Sequence, residues 1–228
     1  MNNAFYFGDN LHILRDYVPD ESVDLVYLDP PFNSNATYNL LFRSPDRKRW
    51  SDAQIATFED SWSWGEMADG QFRELTRTPG RIGEVVSALH RLLGPSDMLA
   101  YLVMMAARLV ELQRVLKPTG SLYLHCDPTA SHYLKVLLDG VFGAQNFRNE
   151  IVWKRTSAHS SARRYGPVHD VLFLYSASDH YLWNASFEPY DQQYIDAFYT
   201  HKDSDGRRWR RSDLTGAGTR NGETGQRW

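Results

Sequence analysis

Val23-Asp24-Leu25-Val26-Tyr27-Leu28, running straight into Asp29-Pro30-Pro31-Phe32, decides the fold. Apart from Asp24 the first six residues are aliphatic or aromatic, a run that suits a parallel strand buried on both faces. Asp29 ends it, and Pro30-Pro31 cannot prolong a ladder because proline has no amide hydrogen to donate. Upstream, Phe5-Tyr6-Phe7 predicts a short strand closed by Gly8-Asp9, and Leu11 to Tyr17 predicts a helix broken near Pro19. Asp9 and Asp29 are thereby both expected at the carboxyl ends of strands.

Downstream, a polar stretch from about 33 to 95 mixes Gly, Pro, Trp and charges. It is too long for a plain connection and is expected to be a loop-rich insertion with short helices. Met98 to Leu116 reads as a helix, with Ser96 or Asp97 as N-cap and Lys117-Pro118 closing it. Thr119-Gly120 turns the chain into a strand from Ser121 to His125. A helix from about Ala130 to Phe142 leads to strands at Glu150 to Trp153 and Val171 to Tyr175. Alternating strands and helices predict an α/β fold with a doubly wound, Rossmann-like sheet, whose ligands bind at the carboxyl ends of the strands. From about Ser176 hydrophobic periodicity fades and glycines and arginines take over, so residues 1–176 are expected to form the catalytic region and 177–228 the start of a second one.

The 228 residues suffice for one sizeable domain with a real core. With a net charge of −3 the chain is no basic nucleic-acid wrapper, so any such binding has to rest on local charge. A single cysteine, Cys126, excludes a disulfide framework and a multi-cysteine metal site. No apolar run reaches the roughly 18 residues that span a membrane. The first residues lack the basic and apolar regions of a signal peptide, so a cytoplasmic setting is expected.

Asp29 to Phe32 combine what methylation of an exocyclic amine requires. The nitrogen lone pair of such an amine is conjugated with its ring. Two acceptors gripping its hydrogens would pull it toward tetrahedral geometry and free that pair. Asp29 supplies a charged acceptor, whose hydrogen bonds are about twice as strong as neutral ones. Pro30 and Pro31 hold their φ angles and leave carbonyls free. Phe32 offers a stacking face, typically worth about 1–3 kcal/mol per base.

The resemblance becomes specific along Gly8-Asp9-Asn10-Leu11 and Val23 through Asn33. These segments resemble the opening of bacterial DNA amino-methyltransferases of the N4/N6 type, most closely the β group. The likeness continues through Arg114-Val115-Leu116-Lys117-Pro118-Thr119-Gly120-Ser121-Leu122-Tyr123-Leu124 and His169-Asp170-Val171-Leu172-Phe173-Leu174-Tyr175-Ser176. It implies a methyltransferase fold, S-adenosylmethionine as methyl donor, and double-stranded DNA as partner, with a restriction subunit and a homodimer as further partners of the family. Asp29, Pro30, Pro31 and Phe32 are then the catalytic residues that hold the flipped base. Asp with Phe at the motif's ends favours adenine N6; cytosine N4 is the alternative. Asp9 and Asn33 are the cofactor-binding candidates, Asp9 equally serving as a helix cap. The family's glycine-rich cofactor loop is not found: no buried strand precedes Gly216-Ala217-Gly218 and no helix follows. The expectation is therefore a chain truncated before that motif, with a non-catalytic DNA-binding fragment as the rival reading.

Positive charge for phosphates is expected from Arg155, Arg163 and Arg164, on a Ser-rich loop beside Lys154, and from Arg207, Arg208, Arg210 and Arg211. His125-Cys126-Asp127 invites a metal, but adjacent strand residues point alternately and do not converge on one ion. A buried Cys126 and a helix-capping Asp127 before Pro128 are expected instead, and no metal.

Overall fold

The computed structural model describes residues 3–31, 62–156, 163, 165–166, 168–187 and 189–211, and the backbone alone of 36–40 and 55–60. They fall into two compact units, residues 1–182 and 183–228.

In the first unit α1 (Asn10–Tyr17) precedes β1 (Val23–Leu28), followed by an antiparallel pair, β2 (Ala36–Leu40) and β3 (Ile55–Asp60). Helices α2 (Glu66–Arg77), α3 (Arg81–Leu93) and α4 (Asp97–Val115) lead into β4 (Leu116–Cys126). Then come α5 (Pro128–Phe142), a 3-10 turn at Ala144–Asn146, β5 (Phe147–Lys154) and β6 (His169–Ser176). The main sheet has the order β1-β4-β6-β5. The β1–β4 pair is parallel, whereas β6 runs antiparallel to both β4 and β5. The α/β class expected from sequence is thus present, in a mixed sheet.

The sheet's inner face carries Leu122, Leu124, Phe173 and Tyr175, all buried against a connected layer of helices. At its centre lies α4, with Leu99, Tyr101, Val103, Met105, Ala106 and Leu109 wholly inaccessible. Burying such aliphatic side chains contributes about 1.5–3 kcal/mol each. Ser96 starts α4 by accepting the Leu99 amide at 3.3 Å. Near its end Arg114 donates to the carbonyls of Leu14 and Val18, at 2.7 and 3.1 Å, and pairs with Asp20, tying α1 and the segment after it to the helical layer.

Three expectations are corrected. The strand at Phe5-Tyr6-Phe7 does not form: the segment is irregular and Phe5 and Phe7 are exposed. Second, β1 is not buried on both faces. Among the described residues it has β4 as its one neighbour; its Val26 and Leu28 turn inward, while Leu25 and Tyr27 on the opposite face are 58% exposed each. Third, the helices expected within the stretch 33–95 are longer than expected: among the described residues α2 and α3 are amphipathic helices of 12 and 13 residues. Leu75, Ile82, Val86 and Leu89 carry their buried stripes into the core.

The turn expected at Thr119-Gly120 is a wide bulge within β4. Val23 pairs with Leu116 and Leu25 already with Ser121, so residues 117–120 arch out opposite Asp24. Lys117 Nζ closes the arch at 2.8 Å from both Asp24 oxygens. A Cβ on Gly120 would stand 2.7 Å from Leu116 Cγ, which is why the arch requires glycine.

The second unit contains α6 (Gln192–Phe198), capped by Asp191, and the short hairpin β7 (His201–Lys202) with β8 (Arg208–Trp209).

Asp127 caps α5 through the amides of Thr129 and Ala130, at 3.1 and 3.3 Å. Loss of a side-chain cap typically costs about 1 kcal/mol. Asp127→Ala is expected to lower stability by about that amount, and Asp127→Asn by less, in urea denaturation. Equal midpoints for the alanine variant and wild type would contradict the cap.

Candidate active site

Because β1 and β4 are parallel, both end at the same rim of the sheet. The register Tyr27↔Tyr123, Leu28↔Leu124 sets the next residues, Asp29 and His125, side by side. Oδ1 of Asp29 lies 3.1 Å from Nδ1 of His125. On its other side, Nε2 of His125 lies 3.2 Å from Oδ2 of Asp170, near the start of the antiparallel β6. Oδ1 of Asp170 pairs in turn with Arg155 Nη1 at 3.2 Å. Asp170 is 5% exposed, whereas the Asp29 side chain is 60% exposed. A buried carboxylate requires compensation, and Asp170 receives it from both sides.

Asp29 opens onto a cleft of about 730 Å3, which Leu28, Pro30 and Pro31 border on the same side. That lies within the range of small-molecule sites, about 300–1,000 Å3. Phe5, Tyr6 and Phe7 form another wall, and Trp62, Met104 and Met105 line it as well. Pro30 is buried and Pro31 half-buried. The indole Nε1 of Trp62 is buried and, among the described residues, finds no hydrogen-bond partner.

Asp9 and Asn10 border the same cleft, although no strand ends there. Asp9 is the N-cap of α1: Oδ1 accepts the Leu11 amide at 2.9 Å. The same oxygen pairs with Arg108 Nη2 at 2.6 Å, and Arg108 Nε donates to Asn10 Oδ1 at 2.7 Å. Burial on α4 pulls the Arg108 guanidinium below its ordinary pKa, an effect that Asp9 opposes.

The structure therefore brings Asp9, Asp29, Pro30 and Pro31 to one cleft. Phe32, Asn33 and Arg164 lie outside the described residues. Arg163 is exposed, and Arg155, at the end of β5, is half-exposed and joined to Asp170. In the second unit, Arg208 donates to the Tyr199 carbonyl at 3.0 Å and pairs with Asp196. That pairing holds the Asp196 carboxyl below its usual range. Arg207 reaches Asp203 at 3.5 Å. Arg210 donates to the Tyr194 hydroxyl at 3.1 Å, above the Tyr199 ring, and Arg211 is exposed.

Alternation along β4 acts as expected on His125-Cys126-Asp127. Cys126 turns into the core, 1% exposed, and burial pushes its thiol up to about 12, with Asp127, Asp170 and Glu150 adding to the effect. His125 turns the other way, to Asp29. Sequence reasoning missed His125, Asp170, Arg108 and Trp62 as parts of one site. For His125 the signal was its place one residue beyond a parallel register, which only the strand pairing reveals.

The chain is similar to known DNA methyltransferases. A type II methyltransferase of Enterobacter cloacae, M.EcaI, is 30% identical over 130 residues, 57% of this chain and 28% of that protein. The Mod subunit of the type III restriction-modification enzyme StyLTI, from Salmonella typhimurium, is 27% identical over 220 residues, 94% of this chain and 30% of that protein. The chain thus spans less than a third of the length of these relatives. Among solved structures, the PvuII DNA methyltransferase (cytosine-N4-specific) aligns with a TM-score of 0.43 at 15% identity, covering 86% of this chain and 61% of that one. The N6/N4 methyltransferase family model, described as DNA methylase, matches residues 23–228. The match takes in Asp29, His125, Asp170 and the whole sheet that carries them, and the chain belongs to this DNA methylase family.

Proposed function

We propose that this chain carries the target-base site of a site-specific DNA methyltransferase that transfers a methyl group from S-adenosylmethionine to adenine N6. The observation that carries the reading is Asp29: an accessible carboxylate at a strand terminus, followed by a buried proline, opening onto a cleft of ligand size. Asp29 accepts one hydrogen of the exocyclic amine and the Pro30 carbonyl the other, which draws the nitrogen toward tetrahedral geometry. Phe32 stacks on the base, offsetting the few kcal/mol, roughly, that flipping it out of the duplex costs.

The cleft suits a methyl donor as well as a base. A buried N–H without a partner, like that of Trp62, typically costs about 1–3 kcal/mol, and an acceptor on a ligand removes the deficit. Trp62, Phe5, Phe7 and Asn10 are the residues that would hold S-adenosylmethionine, together with Asn33. Asp9 has one oxygen committed to the α1 cap and to Arg108, so its part is to fix that wall of the cleft. Bound there, S-adenosylmethionine supplies an electrophilic methyl on a sulfonium. The chain's own residues orient the amine and exclude water.

Adenine is preferred over cytosine N4 because the motif opens with Asp and closes with Phe. Mass spectrometry of nucleosides from methylated DNA separates the two products. Double-stranded DNA is the partner, and the Mod-subunit relatives support a restriction subunit beside it. No helix among the described residues is long and apolar enough to cross a membrane, in keeping with a cytoplasmic enzyme that meets DNA directly.

Two measurements test the reading. Asp29→Ala is expected to lower methyl transfer by about 100-fold or more, the scale seen when one polar group that stabilises a transition state is removed. DNA affinity in the same variant should change by less than about threefold, corresponding to under 1 kcal/mol. Turnover within tenfold of wild type, about 1.4 kcal/mol, would refute the role of Asp29. On the DNA side, Arg210→Ala and Arg211→Ala should each reduce the salt slope of binding by about one. Arg208→Ala should act mainly on the second unit's stability, through Asp196 and Tyr199. Unchanged slopes for Arg210 and Arg211 would remove them from the phosphate contacts.

A further inference from the structure

We propose that His125 is a positioning residue that sets the orientation of the Asp29 carboxylate, clamped from behind by Asp170 and Arg155. The inference rests on Asp29 being the group that grips the amine, and it adds a device no part of that reading requires.

The geometry runs as a chain of acidic and basic side chains. From Asp29 Oδ1 to His125 Nδ1 is 3.1 Å, from His125 Nε2 to Asp170 Oδ2 is 3.2 Å, and from Asp170 Oδ1 to Arg155 Nη1 is 3.2 Å. Each link joins a different element: the end of β1, the end of β4, the start of β6 and the residue after β5. Accessibility falls along the first three of these groups and rises again at Arg155, which is 53% exposed. The Asp29 side chain is 60% exposed, His125 19% and Asp170 5%.

An exposed carboxylate at a strand end turns freely about χ1 and χ2 unless something grips it. Catalytic groups have to be held within about 0.5 Å and 10–20° of the productive geometry. The imidazole is rigid and planar, so fixing one nitrogen on a buried carboxylate fixes the direction of the other. Asp170 cannot swing away, since it is packed within the sheet and held on its far oxygen by Arg155. The Arg155 amide in turn donates to the Val168 carbonyl at 2.8 Å, tying the β5 terminus to the residue before β6. The firmness of the sheet is thus passed to the one carboxylate that faces the cleft.

Amide replacements separate this role from a purely structural one. The amide nitrogen of asparagine falls close to the place of the histidine Nδ1, and that of glutamine close to Nε2. His125→Asn therefore keeps a donor toward Asp29, and His125→Gln keeps one toward Asp170. If His125 positions Asp29, His125→Asn retains at least about tenfold more kcat than His125→Gln, with KM for DNA alike in both, since a misplaced catalytic group costs up to about 100-fold in rate. Equal kcat values, or the reverse order, would overturn the proposal, because a residue serving only to join β4 to β6 needs the Asp170 side. Asp29→Ala belongs in the same series. Should it turn over like wild type, the base-holding reading fails. Should it be inactive while His125→Gln turns over like wild type, only the positioning role fails. A readout independent of turnover is nitrogen NMR of protein labelled at its histidines, with the His125 signals assigned by their absence from His125→Asn. Asp29→Asn is expected to move the Nδ1 resonance of His125, and Asp170→Asn the Nε2 resonance. An Nδ1 resonance unmoved by Asp29→Asn would end the proposal whatever the kinetics.

Discussion

The parallel pairing of β1 with β4 is the constraint from which the site follows. Two parallel strands end at the same rim, so whatever residues come last on each become neighbours, however far apart they stand in the chain. Here the rim receives Asp29 from one strand and His125 from the other. An antiparallel pair would have sent them to opposite edges. Insertion of β6 on the far side of β4, running the other way, then brings the start of β6 to the rim and delivers Asp170. One reversal of direction within the sheet thus assembles three titratable side chains contributed by three strands.

What holds that pairing in register is burial on one face only. Leu122 and Leu124 of β4 are wholly inaccessible beneath the helices, and Val26 and Leu28 of β1 turn to the same side. A slip of one residue would reverse every inward side chain, so the apolar face specifies the register strongly. The bulge at 117–120 lies at the opposite end from the site, and there Lys117 holds Asp24 across the arch. Irregularity is confined to the end where it does not disturb the alignment of Asp29 with His125.

Much of this was legible in the sequence wherever a local signal stood at an element's boundary. The bounds of β1 follow from an apolar run stopped by Asp29-Pro30-Pro31, those of α4 from the Ser96 cap, and those of α5 from Asp127-Pro128. The bounds of the helices α2 and α3, expected only as short helices, were not read because glycines and arginines around Pro79 mask their stripe, although Ile82, Val86 and Leu89 keep helical spacing. Phe5-Tyr6-Phe7 has strand-like composition but no strand to pair with among the described residues. Composition alone does not distinguish an edge strand from a central one, and among the described residues β1 has a strand, β4, on one side only. In the site, Asp29 and its prolines announce themselves by chemistry. The partners His125, Asp170 and Arg108 do not, because their roles depend on register and helix packing between distant segments. Asp9 was ambiguous for a physical reason: a carboxylate at a helix N-terminus is a good cap and a good acceptor alike, and its commitment to Leu11 and Arg108 shows which local bonds it makes.

The pairing of charges around the cleft bears on how a nucleic acid could enter it. A bare carboxylate facing a phosphate at 4 Å costs about 4 kcal/mol in a medium of intermediate dielectric. Asp9 and Asp29 border the cleft and Asp170 stands behind His125, in a chain whose net charge is already −3. Asp9 is matched by Arg108, and Asp170 by Arg155, within hydrogen-bonding distance. His125 stands between Asp170 and Asp29, touching both. With the flanking charges compensated in pairs, Asp29, its Oδ1 on His125, remains the most exposed of the three acids and borders the cleft. For the proposed role, meeting a polyanion while presenting a carboxylate to one amine, the arrangement is apt: the neighbouring acids Asp9 and Asp170 are paired, and Asp29 stays accessible.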